Sequence, residues 1–187
     1  PVLIQNGLKS DDLRNSWDRL AKTANQGIFD YGDKNGIALG TTCVIFLTYG
    51  NSYFIMNIGD SRAYLLSDQL YQLTKDQSYV QREIDLGRMT PEEAAVDPQR
   101  SVLLQCIGAS DVIEPDFFAG AIAPNQCYLL CSDGFTHMAT AAEIYERLCP
   151  MAATDSQTMK QNLVYITELI KSRGERDNIS ALVFKTY

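Results

Sequence analysis

The 187 residues are enough for one domain with a sizeable core, and 45% hydrophobic with 21% charged residues is the balance of a soluble globular protein. The net charge of −7 argues against a surface that tracks nucleic-acid phosphates. It is compatible with an acidic surface, or with a site that gathers carboxylates around divalent cations.

Residues 11–28 read as a helix, with Leu13, Trp17, Leu20, Ala24 and Ile28 in one apolar stripe and Ser10-Asp11 as its cap. Residues 31–40 read as a polar, Gly-containing loop. Residues 41–49 are β-branched and apolar on both faces, as in a sandwich core, and Gly50-Asn51 turns into a second strand over 52–58. Gly59-Asp60-Ser61 interrupts, 62–66 continues extended, Ser67-Asp68 turns, and 70–73 returns, making an antiparallel meander. Residues 78–87 then turn helical and end on a glycine. Thr90-Pro91-Glu92-Glu93 is a strong helix start, and Asp97-Pro98 ends that short helix. Strands are expected over 113–119, 126–131 and 179–184, with helices over 140–148, opened by a capping box, and 156–172. Strands and helices in separate blocks suggest an α+β fold in which helices cover a sheet or sandwich.

Cys43, Cys106, Cys127, Cys131 and Cys149 are odd in number and lack CxxC spacing, so they read as buried thiols of a reducing compartment, taken as cytoplasmic. No apolar run approaches a membrane span. The opening Pro1-Val2-Leu3-Ile4-Gln5-Asn6-Gly7 has no basic region and no initiator Met, so it reads as neither a signal peptide nor a natural start.

Much familiar chemistry is excluded. With His137 as the one histidine there is no His-rich metal site and no HExxH helix. No GxSxG elbow, GxxxxGK[ST] loop or GxGxxG is present, and no cysteine opens the Arg-terminated loop of cysteine-nucleophile phosphatases. What remains is aspartate at strand ends: Asp133 after residues 127–130 and before Gly134, Asp177 beside Asn178 before the last strand, and Asp60 between Gly59 and Ser61. Short carboxylates fixed by core strands suit hard divalent cations, and glycine beside them lets backbone or ligand come close. Taken singly, each is more readily a turn residue than a ligand, and His137 alone reads as a surface or hydrogen-bonded histidine. Spacing alone stops at a divalent-metal site of unspecified role.

The order of segments goes further. Gly40-Thr41-Thr42, Ile58-Gly59-Asp60-Ser61-Arg62-Ala63-Tyr64, Leu73-Thr74-Lys75-Asp76-Gln77-Ser78, Gly87-Arg88-Met89-Thr90-Pro91-Glu92-Glu93-Ala94, Asp97-Pro98-Gln99-Arg100 with Ile107-Gly108, Cys131-Ser132-Asp133-Gly134-Phe135 and Arg176-Asp177-Asn178-Ile179-Ser180 follow one another over nearly the whole chain. In that order they resemble the metal-dependent, type 2C serine/threonine protein phosphatases, especially the bacterial branch. The resemblance implies one domain over 1–187, built as an antiparallel β-sandwich flanked by helices in four αββα layers. It implies hydrolysis of phosphoserine and phosphothreonine by a metal-activated water, with two Mn2+ or Mg2+ ions and a weaker third. Asp133 and Asp177 match the aspartates that hold the metal pair, and Asp60 matches the aspartate that helps hold the third ion. Phosphoprotein substrates and a partner Ser/Thr kinase are implied likewise, with no nucleic acid and no membrane.

The departures are specific. The family's opening strands, with an acidic pair, an Asp-Gly-x-Gly-Gly turn and a phosphate-binding arginine, have no counterpart here. Asp133 and Asp177 would then be half of a metal site in a chain of weak or no activity on its own, with sheet edges left unpaired. Gln77 stands where the family usually has His, and His137 where many members have Asp or Asn. Two readings compete with the phosphatase: a pseudophosphatase that binds or regulates without catalysis, and a non-enzymatic acidic α+β domain whose matches are chance.

Overall fold

The computed structural model describes residues 9–187; the opening residues, read above as no signal peptide, lie outside them. In chain order the elements are α1 (Ser10–Asn35), β1 (Cys43–Tyr49), β2 (Ser52–Ile58), β3 (Arg62–Leu66), β4 (Leu70–Gln72), α2 (Tyr79–Asp85), α3 (Pro91–Val96), β5 (Asp116–Ala121), β6 (Cys127–Cys131), α4 (Asp133–Thr136), α5 (Ala141–Leu148), α6 (Ser156–Ser172) and β7 (Ala181–Lys185). They group into two compact units, one of residues 9–60 with Lys75–Ala119, the other of Ser61–Thr74 with Gly120–Tyr187.

In the first unit, α1 outruns its expected end. Its terminator is Gly36, whose φ of 65° closes the last turn, so the loop expected from Tyr31 starts later. Its start has no side-chain cap, because Lys9 is the N-cap and Ser10 lies inside the helix. The buried face also differs: Leu13, Ala21, Asn25 and Gly32 are buried, whereas Leu20 is 66% exposed. The stripe steps from Trp17 to Ala21 to Asn25 rather than through Leu20 and Ala24. Asn25 can occupy it because its amide is satisfied, donating to the Ser110 carbonyl at 2.8 Å and accepting from the Gly108 N–H at 2.6 Å.

Strands β1 and β2 pair antiparallel from Cys43↔Ile58 to Tyr49↔Ser52, and Gly50, at φ 57°, makes the tight turn between them. The sheet order is β1-β2-β5. Edge strand β1 is only half-buried, against the expectation of a strand covered on both faces; central β2 takes that role, with Ile55, Met56, Asn57 and Ile58 all buried. Met56, Ile58, Ala21, Ile107 and Ile113 form the core. Strand β5 starts at Asp116, three residues later than expected, although Ile113 is still buried.

The second unit holds a four-stranded sheet in the order β4-β3-β6-β7 with antiparallel pairing throughout. Strand β6 is central and almost wholly buried, as its run Cys127-Tyr128-Leu129-Leu130-Cys131 requires. Tyr64, Leu66, Leu129 and Phe135 pack with Ile144 and Leu148 of α5 and Ile166 and Ile170 of α6. The Thr140–Glu143 capping box forms as expected, and Asp155 caps α6. Both units are mixed helix and sheet, so the expected α+β class with antiparallel sheets is met. No helix among the described residues is long and apolar enough to cross a membrane.

Candidate metal centre

Strand pairing brings Asp133 and Asp177 together. Beyond the last pair of β6 and β7, Cys131↔Ala181, the ladder continues through Ser132 N–H to the Ser180 carbonyl at 3.0 Å. The Ser132 hydroxyl donates to the Asn178 carbonyl at 3.3 Å and accepts from Ser180 N–H at 3.1 Å. These bonds draw the two loops together just where the aspartates sit. Gly134 makes the approach possible, since a Cβ there would lie 2.7 Å from the Asn178 carbonyl oxygen and 3.5 Å from Asp177 Cβ. Each carboxylate is braced by the next residue's N–H: Asp133 Oδ1 accepts from Gly134 at 2.8 Å, and Asp177 Oδ1 from Asn178 at 2.7 Å. The short helix α4, which sequence periodicity did not show, starts on Asp133 and is anchored by fully buried Phe135.

Two residues missed as site residues lie against this pair. His137 Nε2 stands 3.4 Å from Asp133 Oδ2, and its Nδ1 stands 3.3 Å from Glu175 Oε2. Glu175, with its side chain 8% exposed, accepts the backbone N–H of Arg176 at 2.8 Å and of Asp177 at 2.9 Å on its other oxygen. The Asp177 N–H is the main cause that holds the Glu175 carboxyl below its usual range. Upstream, Arg173 at the end of α6 grips both oxygens of Glu143 and donates to the Met138 carbonyl, pinning the start of the loop that carries Asp177.

Asp60 belongs to the first unit. Its turn follows Gly59, at φ 97°, where a Cβ would collide with Thr42 Cγ2. Gln77 clasps that glycine: its N–H donates to the Gly59 carbonyl at 3.0 Å, and its Oε1 accepts from Gly59 N–H at 2.9 Å. Its Nε2 reaches the Glu114 carbonyl and Asp116 Oδ2, both at 3.0 Å. Fully buried Asn57 donates to the Gly59 and Lys75 carbonyls, while its own Oδ1 is buried with no hydrogen-bond partner. Burial pushes the Cys106 thiol pKa up, and the negative charge of Asp60 adds to that push.

The donor chemistry suits a hard divalent cation, because Asp133 and Asp177 offer carboxylate oxygens fixed on neighbouring strand ends. The number is small: among the described residues, no group of three or more His, Cys, Asp or Glu is placed to hold a metal ion. The fit is therefore that of two carboxylates, not of a closed coordination shell.

No family model matches the chain. Individual proteins do. The serine/threonine phosphatase Stp of Listeria innocua is 32% identical over 182 residues, 94% of this chain and 69% of that protein. The serine/threonine protein phosphatase PstP of Mycobacterium tuberculosis is 37% identical over 147 residues, and the chain spans only 27% of its length. Among solved structures, a bacterial serine phosphatase superposes with a TM-score of 0.85 at 28% identity, over 97% of this chain and 73% of that one. The catalytic domain of PstP in complex with two manganese ions superposes with a TM-score of 0.76 at 30% identity, over 95% of this chain and 73% of that one. The chain belongs to the bacterial branch of the metal-dependent, type 2C serine/threonine protein phosphatase family.

Proposed function

We propose that this chain carries part of the metal site of a phosphatase that hydrolyses phosphoserine and phosphothreonine in proteins. The observation that carries the reading is the pair Asp133 and Asp177, braced by backbone N–H groups on adjoining strand ends. Those two carboxylates would hold Mn2+ or Mg2+, with Asp60 toward a third ion. A divalent cation bound there supplies Lewis-acid activation of water and of the phosphoryl oxygens. The chain's own part is to fix the carboxylates: β6 and β7 set their separation, and the N–H groups of Gly134 and Asn178 set their rotamers. The neighbour with two manganese ions supports Mn2+. Phosphoprotein substrates, a partner Ser/Thr kinase and a cytoplasmic site of action belong to the same reading; the five free thiols, of which only Cys127 and Cys131 are buried while Cys43, Cys106 and Cys149 are partly exposed, are compatible with a reducing compartment.

A second reading has its own observation. The described residues bring too few ligands together for a closed site. A domain that binds or regulates without turnover would look the same. The 187 residues alone are therefore expected to turn over a generic phosphate ester weakly or not at all, and robust turnover would overturn the half-site reading. The complete protein is expected to hydrolyse p-nitrophenyl phosphate only with Mn2+ and to lose that activity in Asp133→Asn. Full activity in that variant, or in excess chelator, would sink the metal mechanism.

A further inference from the structure

We propose that His137 and Glu175 act together as positioning residues, a side-chain bridge that ties the loop of Asp177 to the carboxylate of Asp133. The proposal rests on the metal-site reading above. Glu175 uses its two oxygens on different tasks. Oε1 takes the N–H groups of Arg176 and Asp177 and so shapes the turn that aims Asp177. Oε2 faces His137 Nδ1 at 3.3 Å, and the opposite ring nitrogen faces Asp133 Oδ2 at 3.4 Å. The rigid imidazole thus spans from the carboxylate that shapes one ligand's turn to the other ligand itself.

The arrangement is not an incidental surface cluster. Glu175 is almost fully buried at its side chain, and a buried carboxylate persists when its acceptors are used. His137 is held by its place one turn beyond Asp133, where its own N–H donates to the Asp133 carbonyl at 3.0 Å. Partners behind metal ligands of this kind orient the donor atoms, and their removal costs roughly 10–100-fold in metal affinity.

Two measurements on the 187-residue chain test the bridge. The first needs no metal. His137 is the one histidine, so its imidazole gives a single, self-assigned set of ring signals in NMR. Asp133→Asn and Glu175→Ala are each expected to displace those signals; a ring that responds to only one of them, or to neither, overturns the bridge. The second is a Mn2+ titration followed by EPR of the free ion. His137→Ala and Glu175→Ala are each expected to weaken binding about 10–100-fold, and the double variant no more than the weaker single, because one bridge is broken once. Glu175→Gln keeps an oxygen for the two backbone N–H groups and is expected to recover most of the affinity. Unchanged affinity in both alanine variants, multiplicative losses, or losses that merely follow a falling Tm would overturn the proposal. A bridge seen by NMR in a wild-type chain that binds no Mn2+ would instead refute the metal reading beneath it.

Discussion

Replacing Gly134 by alanine tests the tightest contact at the candidate centre. The added Cβ would sit 2.7 Å from the Asn178 carbonyl oxygen, and ordinary contact begins near 3.4 Å, so the two loops must part by about 0.7 Å. Both sides are backbone, and no side chain can swing away. A retreat of that size takes the Ser132–Ser180 bond, now 3.0 Å, beyond hydrogen-bonding range and weakens the Ser132 hydroxyl contacts beside it. Two lost bonds at roughly 1 kcal/mol each, or the usual overpacking cost of about 1–3 kcal/mol, give the same scale: about 2–3 kcal/mol. For a chain of this length that lowers Tm by roughly 4–12 °C. Thermal melts followed by circular dichroism read it directly, and Mn2+ affinity should fall further than the loss of folded protein explains. A Gly134→Ala protein that melts with the wild type would refute the claim that this glycine sets the approach of Asp133 to Asp177.

Gly27→Ala is the opposite case: it lies on the exposed side of α1 with nothing within 4 Å of a new Cβ, so melts should show a gain of about 0.5–1 kcal/mol. Asn57→Ala removes the buried amide donor from the Lys75 carbonyl and from the Gly59 carbonyl, which keeps its bond from the Gln77 N–H, and urea denaturation should show a loss of about 1–3 kcal/mol; an unchanged midpoint would mean those bonds do not hold the Asp60 turn. Glu143 is held at a pKa of about 2, first by the Arg173 guanidinium, so its folded value is depressed. Its contribution is therefore present above the unfolded carboxyl pKa, near 4.3, and fades as pH falls toward about 2. The Tm difference between wild type and Glu143→Gln should shrink across that window, and a constant difference would show that the ion pair is not its source.

Two helix caps and the hairpin turn were legible because each is a local rule: Thr90 and Thr140 open capping boxes, and Gly50 turns β1 into β2. The buried face of α1 was misread because an apolar stripe passes over Asn25, which is buried through bonds to Gly108 and Ser110 more than eighty positions away. Glu175 was missed for the same reason. Its contacts with His137 and the Asp177 turn arise where the ends of β6 and β7 meet, and no spacing in the chain records that.

What the ordered motifs do record is packing. Gly40 abuts the Cys106 sulfur, Gly59 sits over Thr42, and Gly134 meets the Asn178 carbonyl, so three motif glycines stand where a Cβ would collide with another motif or its neighbour. That is why fragments weak one by one became informative in order: each is shaped by the next. The same logic applies to Gln77 and His137. An amide offers both a donor and an acceptor, and Gln77 uses both to clasp Gly59 and reach β5. An imidazole offers two opposed nitrogens, and His137 sets them between Asp133 and Glu175. Gln77 thus serves more than one partner at once, and His137 stands between two. A residue able to serve only one would leave either the Asp60 turn or the Asp177 loop without its tie.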